Sequence, residues 1–199
     1  MNIYISMRAE LHRILKAYAA FETEVRCQIS DFCAPYCSVC ESICCRPEYC
    51  RENIDSPFLT LLSSKALHHA AYSTGAGWLT STGCALSTGR PPVCYQFSCK
   101  KIMDALPDGR QRYLFQVLSE LIHYIGKRSL GDRHLVEIMD PAQLKKVKLK
   151  RIGNRLIEAR RALHVIRSFT GDRCLPDLAL GELTRIKPMP KSPTGTICK

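Results

Sequence analysis

The sequence predicts a mainly α-helical protein with little or no β-sheet, in which two cysteine-rich loops converge on a metal site. Three observations carry that expectation. Two long stretches, 114–125 and 149–166, repeat apolar residues at helical spacing. Ten of the twelve cysteines lie between Cys27 and Cys99. Pro, Gly, Ser and Thr collect between the helical stretches, around the cysteines.

Residues 7–26 read as an amphipathic helix with Leu11, Ile14, Leu15, Tyr18 and Ala19 on one stripe. A cysteine loop follows to about Cys50, with Pro35 and Pro47 breaking regular structure. Ser56-Pro57 predicts a capped helix start, running through Phe58, Leu61, Leu62, Ala66 and Leu67 to a stop near Gly75. The stretch from Thr74 to Cys99 predicts loops and short turns, and it carries the only tryptophan, Trp78. From Arg110 the positions Leu114, Val117, Leu118, Leu121, Ile122 and Ile125 predict a helix that Gly126 stops. Asp140-Pro141 predicts the start of a basic helix. Leu149, Ile152, Leu156, Ala159, Leu163 and Ile166 form its apolar seam, to be laid along a partner helix. The domain division is a cysteine-cluster metal-binding domain over 1–110, a basic helical segment packing on it over 111–185, and a disordered tail over 186–199.

The net charge is +11, and nine cations between Lys145 and Arg167 face Glu158 alone. A local field of that sign attracts nucleic acid, acidic protein or anionic lipid, and predicts weak polyanion binding through 145–167. Charged residues at Arg8, Glu10, Arg13 and Lys16 break any signal-peptide core, and no stretch approaches the roughly 20 apolar residues of a membrane span. The expected location is the cytoplasm, where an even cysteine count argues for metal before disulfides.

Cysteine chemistry carries the functional expectation. Seven cysteines fall between Cys27 and Cys50, and thiols this dense oxidise or cross-link unless something binds them. Thiolates suit zinc and iron–sulfur clusters alike, so the metal stays open between the two. Cys37-x2-Cys40 has the spacing of a chelating loop, whereas the second group, Cys94-x4-Cys99, lacks the second Cys-x2-Cys of a zinc ribbon. His68-His69 lies between the groups, but a helix-surface histidine is the ordinary reading. Gly-rich phosphate loops, Gly-x-Ser-x-Gly elbows and paired acidic motifs are missing from the sequence, so no catalytic residue is assigned.

The run Cys37-x2-Cys40-x3-Cys44-Cys45, then Cys50, Gly83-Cys84-Ala85-Leu86, Arg90-Pro91-Pro92-x-Cys94 and Cys99, resembles the YkgJ family of cysteine-cluster proteins. Relative to the usual family opening, one extra residue precedes the Cys44-Cys45 pair. The resemblance covers residues 33–102. It implies a zinc- or iron-chelating domain whose ligands are Cys37, Cys40, Cys44, Cys45, Cys50, Cys84, Cys94 and Cys99, with Cys33 as a substitute where the spacing has shifted. Eight thiols imply either two centres or additional structural thiols. The same superfamily includes flagellin lysine N-methylase, whose Cys-Glu-x2-Cys-Cys element is similar to Cys40–Cys45. Three functions follow as expectations. The first is a metal-binding protein in redox or protein modification. The others are a cluster-dependent modification enzyme resembling the methylase, and a nucleic-acid-binding module with structural metal. Cys27, Cys174 and Cys198 are left as ordinary cysteines.

Overall fold

The computed structural model describes residues 2–37, 45–63, 72–81, 83–169 and 176–190. The chain is mainly helical. Its elements are α1 (Asn2–Cys37), α2 (Pro47–Asp55), α3 (Pro57–Ser63), β1 (Leu79–Thr80), β2 (Gly83–Cys84), α4 (Val93–Gln96), α5 (Lys100–Ala105), α6 (Gly109–Gly126), α7 (Leu149–Ser168) and α8 (Asp177–Ile186). Short 3-10 turns at Leu135–Glu137 and Gln143–Lys146 connect α6 to α7. Among the described residues the two strands make the only sheet, an antiparallel pair of two residues each.

Helix α6 is the central element. Its predicted apolar positions are all buried, and Tyr113 and Phe115 join them, so little of its circumference is left for solvent. It packs against α1, α4, α7 and α8. Asp108 caps it, accepting from the Gln111 N–H at 2.7 Å, which satisfies a donor that a helix start otherwise leaves open. Gly126 ends α6 for a reason of space: an added Cβ would lie 2.3 Å from the His134 ring. His134 stacks on His123 with centroids 4.8 Å apart and donates from Nε2 to the His123 carbonyl at 2.8 Å, while its Nδ1 accepts from the Val136 N–H. Those bonds define the neutral Nε2–H tautomer, and burial lowers the pKa of His134 to about 4.

The seam of α7 is buried at all six predicted positions and lies against α1 and α6. The helix begins at Leu149, later than Asp140-Pro141 predicts, because the chain first makes the turn over Gln143–Lys146. Asp140 caps only a local turn, accepting from the Ala142 N–H. Helix α1 extends beyond residue 26 to Cys37 and contains Pro35 in its last turn, where the missing N–H deprives only the Asp31 carbonyl of its helical donor. Cys27, Cys33 and Cys37 are therefore helical rather than in a loop. Its buried line is Ile14, Tyr18, Phe21 and Val25, with Leu11, Leu15 and Ala19 at the margin. Pro47 opens α2 instead of breaking structure, since proline suits a first helical position.

Ser56 precedes α3 as expected, but its buried Oγ has no partner among the described residues. Ala66, Leu67, His68 and His69 lie outside the described residues, as do Cys40, Cys44, Cys174 and Cys198. Lys187 leaves α8 tied to α6, its carbonyl accepting from the Tyr113 hydroxyl at 2.8 Å and its Nζ meeting Glu120 at 3.3 Å. Residues 191–199, the greater part of the expected disordered tail, lie outside the described residues.

Candidate metal centre

A second, small hydrophobic cluster sits apart from the main core. It consists of Cys50, Trp78 and Leu86, with Tyr72 and Cys84 packed against it. Three short elements build it. The first turn of α2 delivers Cys50, which is buried. The chain returns through Ser73 and Gly77, joined by backbone hydrogen bonds of 2.9 and 2.7 Å. Gly77 has φ +61°, and an added Cβ would lie 2.6 Å from the Cys50 sulfur, so only glycine admits that close approach. The hairpin then pairs Leu79 with Cys84, and the Ala85 N–H donates to the Trp78 carbonyl at 2.8 Å.

The segment from Cys84 to Cys94 is locked to the main core by a buried carboxylate. Glu22, fully buried on α1, accepts from the Gly89 N–H at 2.8 Å, the Arg90 N–H at 2.9 Å and the Tyr95 hydroxyl at 2.7 Å. Burial raises its pKa, and the three hydrogen bonds and Arg90 oppose that shift. The Gly89 carbonyl accepts from buried Asn53 at 2.6 Å. Gly89 has φ +77°, with space for a Cβ closed by the Leu59 carbonyl at 2.8 Å. Arg90 donates to the Leu86 carbonyl at 2.8 Å and reaches the Cys84 carbonyl at 3.5 Å, so it braces the loop. Pro91 and Pro92 then start α4, accepting from the Cys94 and Tyr95 N–H groups at 2.9 Å each.

These anchors bring Cys94 within electrostatic range of Cys50, Cys84 and Cys45. Its pKa is pushed up to about 12, first by loss of hydration, then by the charges that Cys50, Cys84 and Cys45 would carry; Arg90 works the other way. Cys94 is an exposed residue, although loss of hydration is the first cause of its raised pKa. Cys45 is exposed, Cys84 half-buried and Cys50 buried, so the group spans the surface and the small cluster. Cys40 and Cys44 lie outside the described residues. Cys99 precedes α5 and packs on the main core, as does Cys33, while Cys37 is exposed at the end of α1.

Cysteine thiolates form a soft donor set, and a bound cation would favour the ionised form of Cys94 against the burial that raises its pKa. The buried indole N–H of Trp78, in the small cluster, has no partner among the described residues and suits a site that gains an acceptor. In chemistry the residues fit zinc or an iron–sulfur cluster. Among the described residues, no three His, Cys, Asp or Glu side chains stand close enough to hold an ion as they are.

Sequence reasoning missed Glu22, Asn53, Gly89, Trp78 and Tyr95. One signal was readable: Glu22 falls on the buried line of α1, four residues after Tyr18 and three before Val25. Among the described residues no helix is long and apolar enough to cross a membrane. Comparisons with family models, curated proteins and solved structures find no match for this chain.

Proposed function

We propose that this chain is a cysteine-cluster metal protein of the kind its YkgJ resemblance implies, binding zinc or an iron–sulfur cluster for redox or protein-modification work. The observation that supports this reading is the packing of Cys50 and Cys84, from separate parts of the chain, in one small cluster, with Cys94 and Cys45 within electrostatic range of it or of each other. Those four head the ligand set, and Cys37, Cys40, Cys44 and Cys99 complete the eight that the resemblance implies. Bound zinc supplies a four-thiolate brace, and an iron–sulfur cluster adds electron transfer. The protein's own part is to hold the sulfurs: Glu22 and Asn53 fix Gly89, Gly77 admits Cys50, and Arg90 ties down the carbonyls beside Cys84.

Anaerobic purification with metal analysis tests the reading. Stoichiometric zinc in a colourless protein, or iron and sulfide with broad visible absorbance, is expected. Cys50→Ser and Cys94→Ser should lower metal content, and Cys27→Ser should not. Wild type that neither carries nor takes up zinc or iron overturns it.

A second reading, polyanion binding, is favoured by the start of α7. Lys145, Lys146, Lys148, Lys150 and Arg151 are all exposed there, where the helix dipole adds a field of the same sign and the first turn has no acid. Arg160 and Arg167, by contrast, both bond Glu24. Heparin retention that falls steeply with salt, and is lost on reversing Lys145, Lys146, Lys148 and Lys150 to Glu, is the expected result. Wild type that passes through at low salt removes this reading.

A further inference from the structure

We propose that the indole N–H of Trp78 donates a hydrogen bond to a cysteine sulfur of the bound metal centre, making Trp78 a positioning residue for that centre. The inference rests on the metal reading above. An indole nitrogen can only donate, and buried donors are almost always paired. Trp78 is 6% exposed, yet its Nε1 has no partner among the described residues.

The surroundings narrow the choice of acceptor. The ring shares its cluster with Cys50 and Leu86, and Tyr72 and Cys84 pack on the same group. Leu86 has no side-chain acceptor. Tyr72 meets the indole edge-on with centroids 5.5 Å apart, and its hydroxyl is directed at the Pro47 carbonyl at 3.5 Å. The Trp78 and Leu86 carbonyls already accept, from the Ala85 N–H and the Arg90 Nε. Among the side chains of the cluster, the Tyr72 hydroxyl and the sulfurs of Cys50 and Cys84 can accept, and only the sulfurs gain charge when a metal binds. A neutral thiol accepts weakly, whereas a metal-bound thiolate carries charge and accepts well. The donor therefore gains its partner when the thiols ionise on the metal, and in return it orients the sulfur and spreads its charge, as outer partners of metal ligands do.

The backbone holds the ring for this role. Gly77 touches Cys50 on one side of Trp78, and Leu79 pairs with Cys84 on the other, so the indole is carried between the two sulfur-bearing segments.

Because Trp78 is the only tryptophan, indole-15N labelling of the full chain gives a single indole signal to follow during zinc addition under reducing conditions. Zinc should move that signal downfield and slow its exchange with solvent at least about tenfold. Trp78→Phe keeps an apolar ring but removes the donor. It should weaken zinc affinity by roughly 10- to 100-fold in chelator competition, with far-ultraviolet dichroism unchanged. An indole signal that stays put while wild type binds zinc stoichiometrically overturns the proposal and leaves the metal reading standing, as does a folded Trp78→Phe binding zinc within twofold of wild type. Should Trp78→Phe fail to fold, the wild-type indole signal decides alone. Wild type that takes up neither zinc nor iron overturns both readings.

Discussion

The two hydrophobic clusters of this protein are built on different principles. The main core runs from Ile14 on α1 through α6 and α7 to Leu183 on α8, and ordinary apolar side chains close it. Among the described residues the small cluster buries only Cys50, Trp78 and Leu86. Three side chains cannot offset the ordering of the loops around them, which costs about 1–2 kcal/mol of backbone entropy per residue. The small cluster relies on glycines with no room for a Cβ, on backbone hydrogen bonds and on the Glu22 carboxylate reaching across from α1. The difference teaches how each region is held: the core closes on its own apolar side chains, and the cysteine region is assembled on it by hydrogen bonds and tight glycines.

The largest expected effect separates the two regions. Leu118→Ala empties a fully buried site on α6 and should cost about 2–5 kcal/mol in urea unfolding. Metal content per folded molecule should stay at the wild-type level. Equal losses of both would mean that the regions are one unit.

Glu22 is where they join. Glu22→Ala strands the Gly89 and Arg90 N–H groups and the Tyr95 hydroxyl, so a loss of about 3 kcal/mol is expected. Hydrogen exchange should speed up at Gly89 and Arg90 while α7 keeps its protection. Glu22→Gln, which retains one acceptor, should lose less. Unchanged exchange at Gly89 in Glu22→Ala would remove the carboxylate from its anchoring role.

A pH titration sharpens the comparison from the core side. The folded His134 pKa of about 4 lies below its ordinary value of 6.5, chiefly through burial. Between those values the unfolded chain binds more protons, so stability should fall as pH drops through this window, by on the order of 3 kcal/mol from this group. Above pH 6.5 the group contributes no slope. Glu22 acts in the opposite sense, since its raised pKa makes the folded chain hold a proton longer than the unfolded one. The contribution of His134 is read as the difference between wild type and His134→Gln. Identical pH profiles would contradict it.

The smallest effect concerns the ion pairs on the outside of the core. Glu24 binds Arg160 at 2.8 Å and Arg167 at 3.1 Å, joining α1 to α7 at a partly exposed position. Glu24→Ala should cost about 1 kcal/mol or less, and high salt should reduce the difference. A larger loss would show that this surface contact carries the helix pairing now assigned to the buried seam.

What the sequence determined by itself was periodic or local. The α6 and α7 seams were legible because burial on one helix face imposes a repeat of three and four residues, and every position from Leu114 to Ile125 and from Leu149 to Ile166 read that way is buried. The concentration of cysteines was equally legible, since residue type alone sets donor chemistry. Helix limits at Cys37, Pro47 and Leu149 were not, because prolines at 35, 47 and 141 can end a helix, open one or sit in a turn, and the packing around each decides which. Only tertiary structure could pack Cys50 and Cys84 into one cluster, or join Glu22 to Gly89 across 67 residues of chain. Those pairings follow no period and depend on two distant segments meeting in space. Whether a buried carboxylate or indole N–H finds a partner is likewise settled by what the fold places beside it.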